Sequence, residues 1–359
     1  MADYIYVPQA NLRNIAIFDE EPGAALLQEI RQHIKQTHCP HTWRGHSHTK
    51  PPAGAFPVYC DEFDVPAPDT VPRVAPCPCC NPNYPQYKNK GKVAWFPDER
   101  VIRLIGPQCF AAINEGAHQT ALIDLRKKQK ARSELAVIRL HSPRIEGLVA
   151  IIDEVVPIAS ALDTFMQELN GAFDNELAIP LWRIAKGGTL TINETREVPY
   201  RKPDGSVGTK RQIFAVHFAD IIGQTMIDRS GLIAAEKKLK PLRSGLIAIN
   251  DRLIEVGNPE QLDETERKDF SEKMPRAQAQ VREVLDDARS RQQFLTSGAI
   301  DTLARWGQHP NAPYRFAIKR KGSGIALTSA NQRSSSPVNI DIASHATKKL
   351  PDLPVIGEG

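Results

Sequence analysis

The sequence predicts a helix-rich α+β fold, in which an N-terminal cysteine-bearing module precedes long helical hairpins with inserted β-hairpins. Three observations predict it. Long stretches with helical apolar spacing and few breakers lie on either side of Ser142-Pro143. Residues 90–106 and 188–219 alternate apolar and polar side chains around turn chemistry. Aromatic residues make up only 6% while prolines number 28, which favours helices joined by extended linkers over a dense β-sandwich. The chain has 359 residues, 41% of them hydrophobic and 25% charged, so it has a soluble protein's composition and length enough for two or three domains.

In chain order, Tyr4 to Val7 reads as a short strand, and Ala25, Leu26, Leu27, Ile30 and Ile34 mark an amphipathic helix. Residues 36–76 hold eight prolines, four histidines and two cysteines. This segment is expected to be irregular and to need something that holds it in place. Val93 and Trp95, then Val101, Ile102 and Leu104, read as two strands around a turn at Phe96–Arg100. A helix is expected from Pro107 to Ser142, paired antiparallel with a second over 143–172 that opens on Ser142 and Pro143. A shorter helix is expected around Asp174–Ile184. Pro203-Asp204-Gly205 then turns the clearest hairpin of the chain.

Helical patterns resume over 219–256 and 260–307, hinged at Gly257-Asn258-Pro259. Leu232, Leu239, Leu242, Leu246, Ile249 and Leu253 form an apolar stripe that suits either a core or a coiled-coil seam for a second chain. Glu264 to Lys273 is densely and oppositely charged, as in a solvated helical arm. The last residues offer a basic hairpin turning at Gly322-Ser323-Gly324, then a tail expected to be disordered. The predicted parts are 1–120, the cysteine module; 121–220, a helical hairpin and basic β-hairpin in the order of a winged helix; 221–308, a long helical hairpin; and 309–359, a small basic β-element and tail.

The stretch APCPCCNPNYPQ places three of the six cysteines, Cys77, Cys79 and Cys80, within four positions. A C-x-x-C pair (Cys77, Cys80), a hairpin, and Cys109 before a helix form the order of parts in treble-clef zinc folds, which residues 70–120 resemble. Thiolate and imidazole suit tetrahedral Zn²⁺, and a helix N-terminus favours thiolate. The resemblance implies a structural zinc held by Cys77, Cys80 and Cys109. It departs at the fourth ligand, because Ala112 and Ile113 stand where one is expected. His118 is the downstream candidate, provided that the helix begins late, near Asn114. Cys60, Cys39, His41, His46 and His48 are upstream alternatives, and Cys79 can replace Cys80. The competing readings are buried reduced thiols and a redox pair, and the histidines 41–48 also suit a second metal site.

No phosphate-binding loop, nucleophile elbow or dinucleotide fingerprint is present, and His217 with Asp220 can be read as an acid/base pair, a spacing common by chance. No catalytic residue is assigned. The net charge of +4 is clustered. Arg126, Lys127, Lys128, Lys130 and Arg132 form one group, Arg201, Lys202, Lys210 and Arg211 a second, and Lys319, Arg320 and Lys321 a third. Such clusters point to nucleic acid bound through its backbone. The alternative is a protein scaffold or homo-oligomer with a purely structural zinc. The N-terminal residues lack the pattern of a signal peptide, and no apolar run is long enough to span a bilayer, so a cytoplasmic protein without a membrane segment is expected.

Overall fold

Leu27, Ile30 and Ile34 recur at helical spacing and are the buried face of helix α1 (Ala24–Thr37). The computed structural model describes residues 15–65, 77–79, 90–173, 187–203, 205–228, 234–296, 298–329 and 336–353. The chain divides into two compact units, Met1–Glu134 and Leu135–Gly359, where four parts are expected from the sequence. The expected strand at Tyr4 to Val7, the helix at 174–184, Cys80 and Leu232 lie outside the described residues.

The first unit is built on a three-stranded antiparallel sheet of β1 (Val58–Asp64), β2 (Lys90–Phe96) and β3 (Val101–Ile105), in that order. The β2–β3 hairpin and its turn are as the sequence predicts. Strand β1 arises inside the segment expected to be mostly irregular. A bulge in β1 sets which of its side chains share a face. Tyr59 pairs with Ala94 and Asp61 with Val93, so Cys60 is the extra residue. Without the bulge, Tyr59 and Asp61 would share a face. With it, Asp61 meets Arg31 of α1 at 2.6 Å, and the Tyr59 hydroxyl meets His118 at 2.6 Å.

The outer edge of β3 is covered by the histidine loop. Ser47 donates to the carbonyl of Ile102, and the Leu104 amide donates to His46 Nδ1 at 3.0 Å. Arg103, fully buried, donates to the carbonyl and hydroxyl of Thr49, to both oxygens of Glu99, and lies over the Phe96 ring. A guanidinium stripped of water is tolerated only when its donors are satisfied in this way. These bonds hold the proline-rich loop in place. Residues 107–113 are turns and not the start of a helix. Helix α2 (Glu115–His141) begins where the Asn114 side chain caps the Ala117 amide, and it runs on into the second unit.

In the second unit α3 (Ile145–Ala172) packs chiefly against α4 (Ala235–Val256) and α5 (Glu264–Thr296), not back along α2 as expected. Leu239, Leu246 and Ile249 of the apolar stripe are buried in this core. Phe270, Met274, Ala277, Val281, Leu285 and Ala288 of α5 are buried with them, which corrects the solvated arm. The predicted charges line its other face, with Lys273 on Asp269 and Arg276 on Glu272. Inside the core, Arg291 bonds Asp163 and Asp287, and Asp163 also accepts the Ala235 amide. Gly223, at φ +75, leads into the turn beside α5; a Cβ there would strike the backbone of Ser290 and Phe294.

Strands β4 (Thr189–Arg201) and β5 (Val207–Asp220) form the predicted long hairpin, a two-stranded sheet of its own. After α6 (Ala299–Gln308), β6 (Phe316–Lys321) and β7 (Gly324–Ser329) make the predicted basic hairpin. The tail expected to be disordered instead supplies β8 (Val338–Asp341) as a third strand, and it buries Ile340, Ala346 and Leu350. Alternation of buried Ile340 with exposed neighbours is enough to order it once β7 offers an edge. No helix among the described residues is long and apolar enough to cross a membrane.

Candidate metal centre and nucleic-acid interface

The structure brings Cys77 and Cys109 together, with Cys79 beside them; Cys80 lies outside the described residues. Cys77 is fully buried, and its thiol is pulled well below the ordinary range. Bonds from the Cys109 and Cys79 side chains do most of this, with the Gly106 and Cys79 amides helping against burial. The Gly106 amide lies 3.4 Å from Cys77 Sγ. Amides aimed at a sulfur are the surroundings that stabilise a thiolate, the form in which cysteine binds metal. Among the described residues no group of three His, Cys, Asp or Glu side chains stands ready-made for a metal ion.

The structure separates the candidates for a further ligand. Cys60 sits in the core of the sheet and donates to the Val58 carbonyl, with its pKa pushed up to about 12, mainly by burial. It is a packed thiol. His118 Nδ1 lies 2.6 Å from the Tyr59 hydroxyl, a bond that either group can donate. His118 also lines a polar cleft of about 480 Å³ with Lys92, Glu62, Glu115, Arg126 and three glutamines. Burial, then the Lys92 charge, lowers its pKa. Tyr59 escapes a reading of the sequence because the signal for β1 is hidden among prolines.

In the histidine loop, His46 is committed to the backbone. Because His46 Nδ1 accepts from Leu104, its Nε2 carries the proton, and no hydrogen-bond partner among the described residues reaches that nitrogen. His46 therefore offers a metal no lone pair. His48 packs edge-to-face on His46 at 4.5 Å, and burial lowers its pKa. The Leu104 amide in β3 carries the histidine loop, and the amide of Gly106, just past the end of β3, carries the cysteine cluster.

The basic residues fare differently by element. On α2, Arg126 and Lys130 share a side, whereas Lys127, Lys128 and Arg132 point elsewhere around the helix. Lys128 is paired to Glu21, Lys130 to Glu134, and Arg132 bonds the Cys60 carbonyl. The run is a cluster in sequence and not in space. In the third group, Arg320 bonds the Leu295 carbonyl, Lys321 bonds Asn339, and Lys319 is exposed. His217 and Asp220 pair at 3.1 Å on open surface, which suits a surface contact more than catalysis.

The β4–β5 hairpin keeps its charge together. Leu190 is the sole buried residue of the two strands. Its root is anchored where Trp306 Nε1 donates to the Thr191 carbonyl and the Asn193 amide to the Asn311 carbonyl. Beyond it the ribbon is packed on neither side, and its end carries Arg201, Lys202, Lys210 and Arg211, with Glu197 3.9 Å from Arg211. No protein-family model, curated protein or solved structure matches this chain.

Proposed function

We propose that this chain is a zinc-containing protein that binds nucleic acid through the phosphate backbone, by way of the β4–β5 ribbon and without catalysing a reaction. The observation that supports it most is the ribbon itself. Isolated two-stranded ribbons are marginal in water, and this one extends about 40 Å with a single buried side chain. Four cations at its end favour an anionic partner, and a β-ribbon fits a nucleic-acid groove. A structural zinc on Cys77, Cys109 and Cys79 or Cys80 would pin the first unit, with an imidazole of His48 or His118 as its fourth ligand. A cytoplasmic setting keeps such thiols reduced.

The test is a salt titration of oligonucleotide binding. The wild-type chain is expected to bind with a steep negative dependence on salt. Replacing Arg201, Lys202, Lys210 and Arg211 together by alanine should weaken binding and flatten the log–log slope by roughly 3. A second reading, an oligomeric scaffold, draws on exposed Val207 and Ile213 of the same ribbon. A stable oligomer that ignores DNA and RNA at low salt would establish that reading and sink the first. Metal analysis supplies the other half: about one zinc per chain, lost in Cys77→Ser and Cys109→Ser, with loss in His48→Ala or in His118→Ala identifying the imidazole ligand.

A further inference from the structure

Resting on that reading, we propose that one face of the β4–β5 ribbon is a stacking platform for the bases of single-stranded nucleic acid. Residues directly opposed in an antiparallel pair share a face. The register sets Glu194 against Phe214, Arg196 against Gln212, Val198 against Lys210, and Tyr200 against Gly208. Phe214, Arg196, Lys210 and Tyr200 therefore stand on one face. Arg196 lies over the Phe214 ring at 5.8 Å, and Lys210 over the Tyr200 ring at 5.9 Å. The one carboxylate of this face, Glu194, is bonded to Arg196 at 2.8 Å. The opposite face, running through Thr195, Glu197, Pro199, Arg201, Thr209, Arg211 and Ile213 to His217 near the root, has no Phe, Tyr or Trp.

Two rings, each with its own cation, are what an unstacked base and its phosphate require. The rings are about 20 Å apart along the ribbon, so the ligand is an extended strand and not one inserted base. A duplex has its base faces already stacked and offers these rings little, while its phosphates still meet the lysines and arginines. The face is also accessible: Tyr200 is exposed, and Phe214 is half-buried.

The experiment is fluorescence anisotropy with an oligothymidine and a mixed-sequence duplex of equal length, on the full chain. Tyr200→Ala and Phe214→Ala are each expected to raise the single-strand Kd about tenfold, with the duplex Kd and both salt slopes unchanged. Tyr200→Trp should restore single-strand binding, which a merely structural loss would not allow. Equal weakening on both oligonucleotides, or no weakening on either, overturns the stacking platform and leaves backbone binding in place. Absence of binding to both oligonucleotides by the wild-type chain overturns the nucleic-acid reading and the platform with it.

Discussion

Cys77 and Cys60 are both fully buried, yet their thiols face opposite surroundings. Cys77 is met by two sulfurs and two amides, whereas Cys60 meets one carbonyl in an apolar sheet. Cys77→Ser and Cys109→Ser are expected to release zinc and destabilise the first unit, because a structural ligand is also folding free energy. Cys60→Ala should keep the metal and cost about 1 kcal/mol of packing. The sequence alone ranks Cys79 as a mild position; its contact with Cys77 raises the expected effect of Cys79→Ser to that of its neighbours. Elemental analysis with denaturant midpoints checks all four, and metal loss in Cys60→Ala would refute the assignment.

Histidine supplies the pH dependence at the same scale. His41 is lowered to about 4, first by burial and then by the charges of His48 and His33; His46 is also lowered well below its ordinary value, first by burial. Arg103 also faces His46, with its own charge answered by Glu99. The unfolded chain binds these protons near pH 6.5 and the folded one does not, so stability rises with pH across this window. It is full above about pH 6.5 and declines as pH falls toward 4. The loss is on the order of 2 kcal/mol. Hydrogen exchange at the Leu104 amide reads it directly, and His41→Asn should flatten the profile.

At the scale of the element, the ribbon is separable in energy from the unit that bears it. Replacing residues 197–211 by an Asn-Gly turn leaves Leu190, Trp306 and the Asn311 contact intact. Thermal stability should change by no more than about 1 kcal/mol, since no buried side chain is lost. Oligonucleotide binding should disappear. A large fall in stability would mean that the ribbon is structural. Helix α5 shows the converse: its charged run is real, but the apolar residues at helical spacing behind it belong to the core.

For the whole molecule, two cores imply two responses to metal removal. The first unit gathers its core around β1–β3, α1 and the start of α2, and the cysteines belong to it. The second gathers around α3, α4 and α5. A chelator should therefore lower hydrogen-exchange protection in 58–64 and 90–105 while α3 and α5 keep theirs. Uniform loss throughout would show that the zinc serves both cores.

The sequence by itself determined most of the local structure. Apolar spacing marked α1, α3, α4 and α5, and turn residues marked the β2–β3, β4–β5 and β6–β7 hairpins, because these signals are written over short separations. It also singled out Cys77 and Cys109 from their company. What only the tertiary structure decided depends on partners far apart in the chain. Strand β1 and strand β8 exist because β2 and β7 offer edges that no local pattern advertises. The same holds for the surroundings of His118, whose Nδ1 lies 2.6 Å from the hydroxyl of Tyr59, 59 residues away. The basic run of α2 meets the same limit: neighbours in sequence are turned about 100° apart on a helix, whereas the antiparallel register gathers Arg201 and Arg211, ten residues apart, on one face of the ribbon.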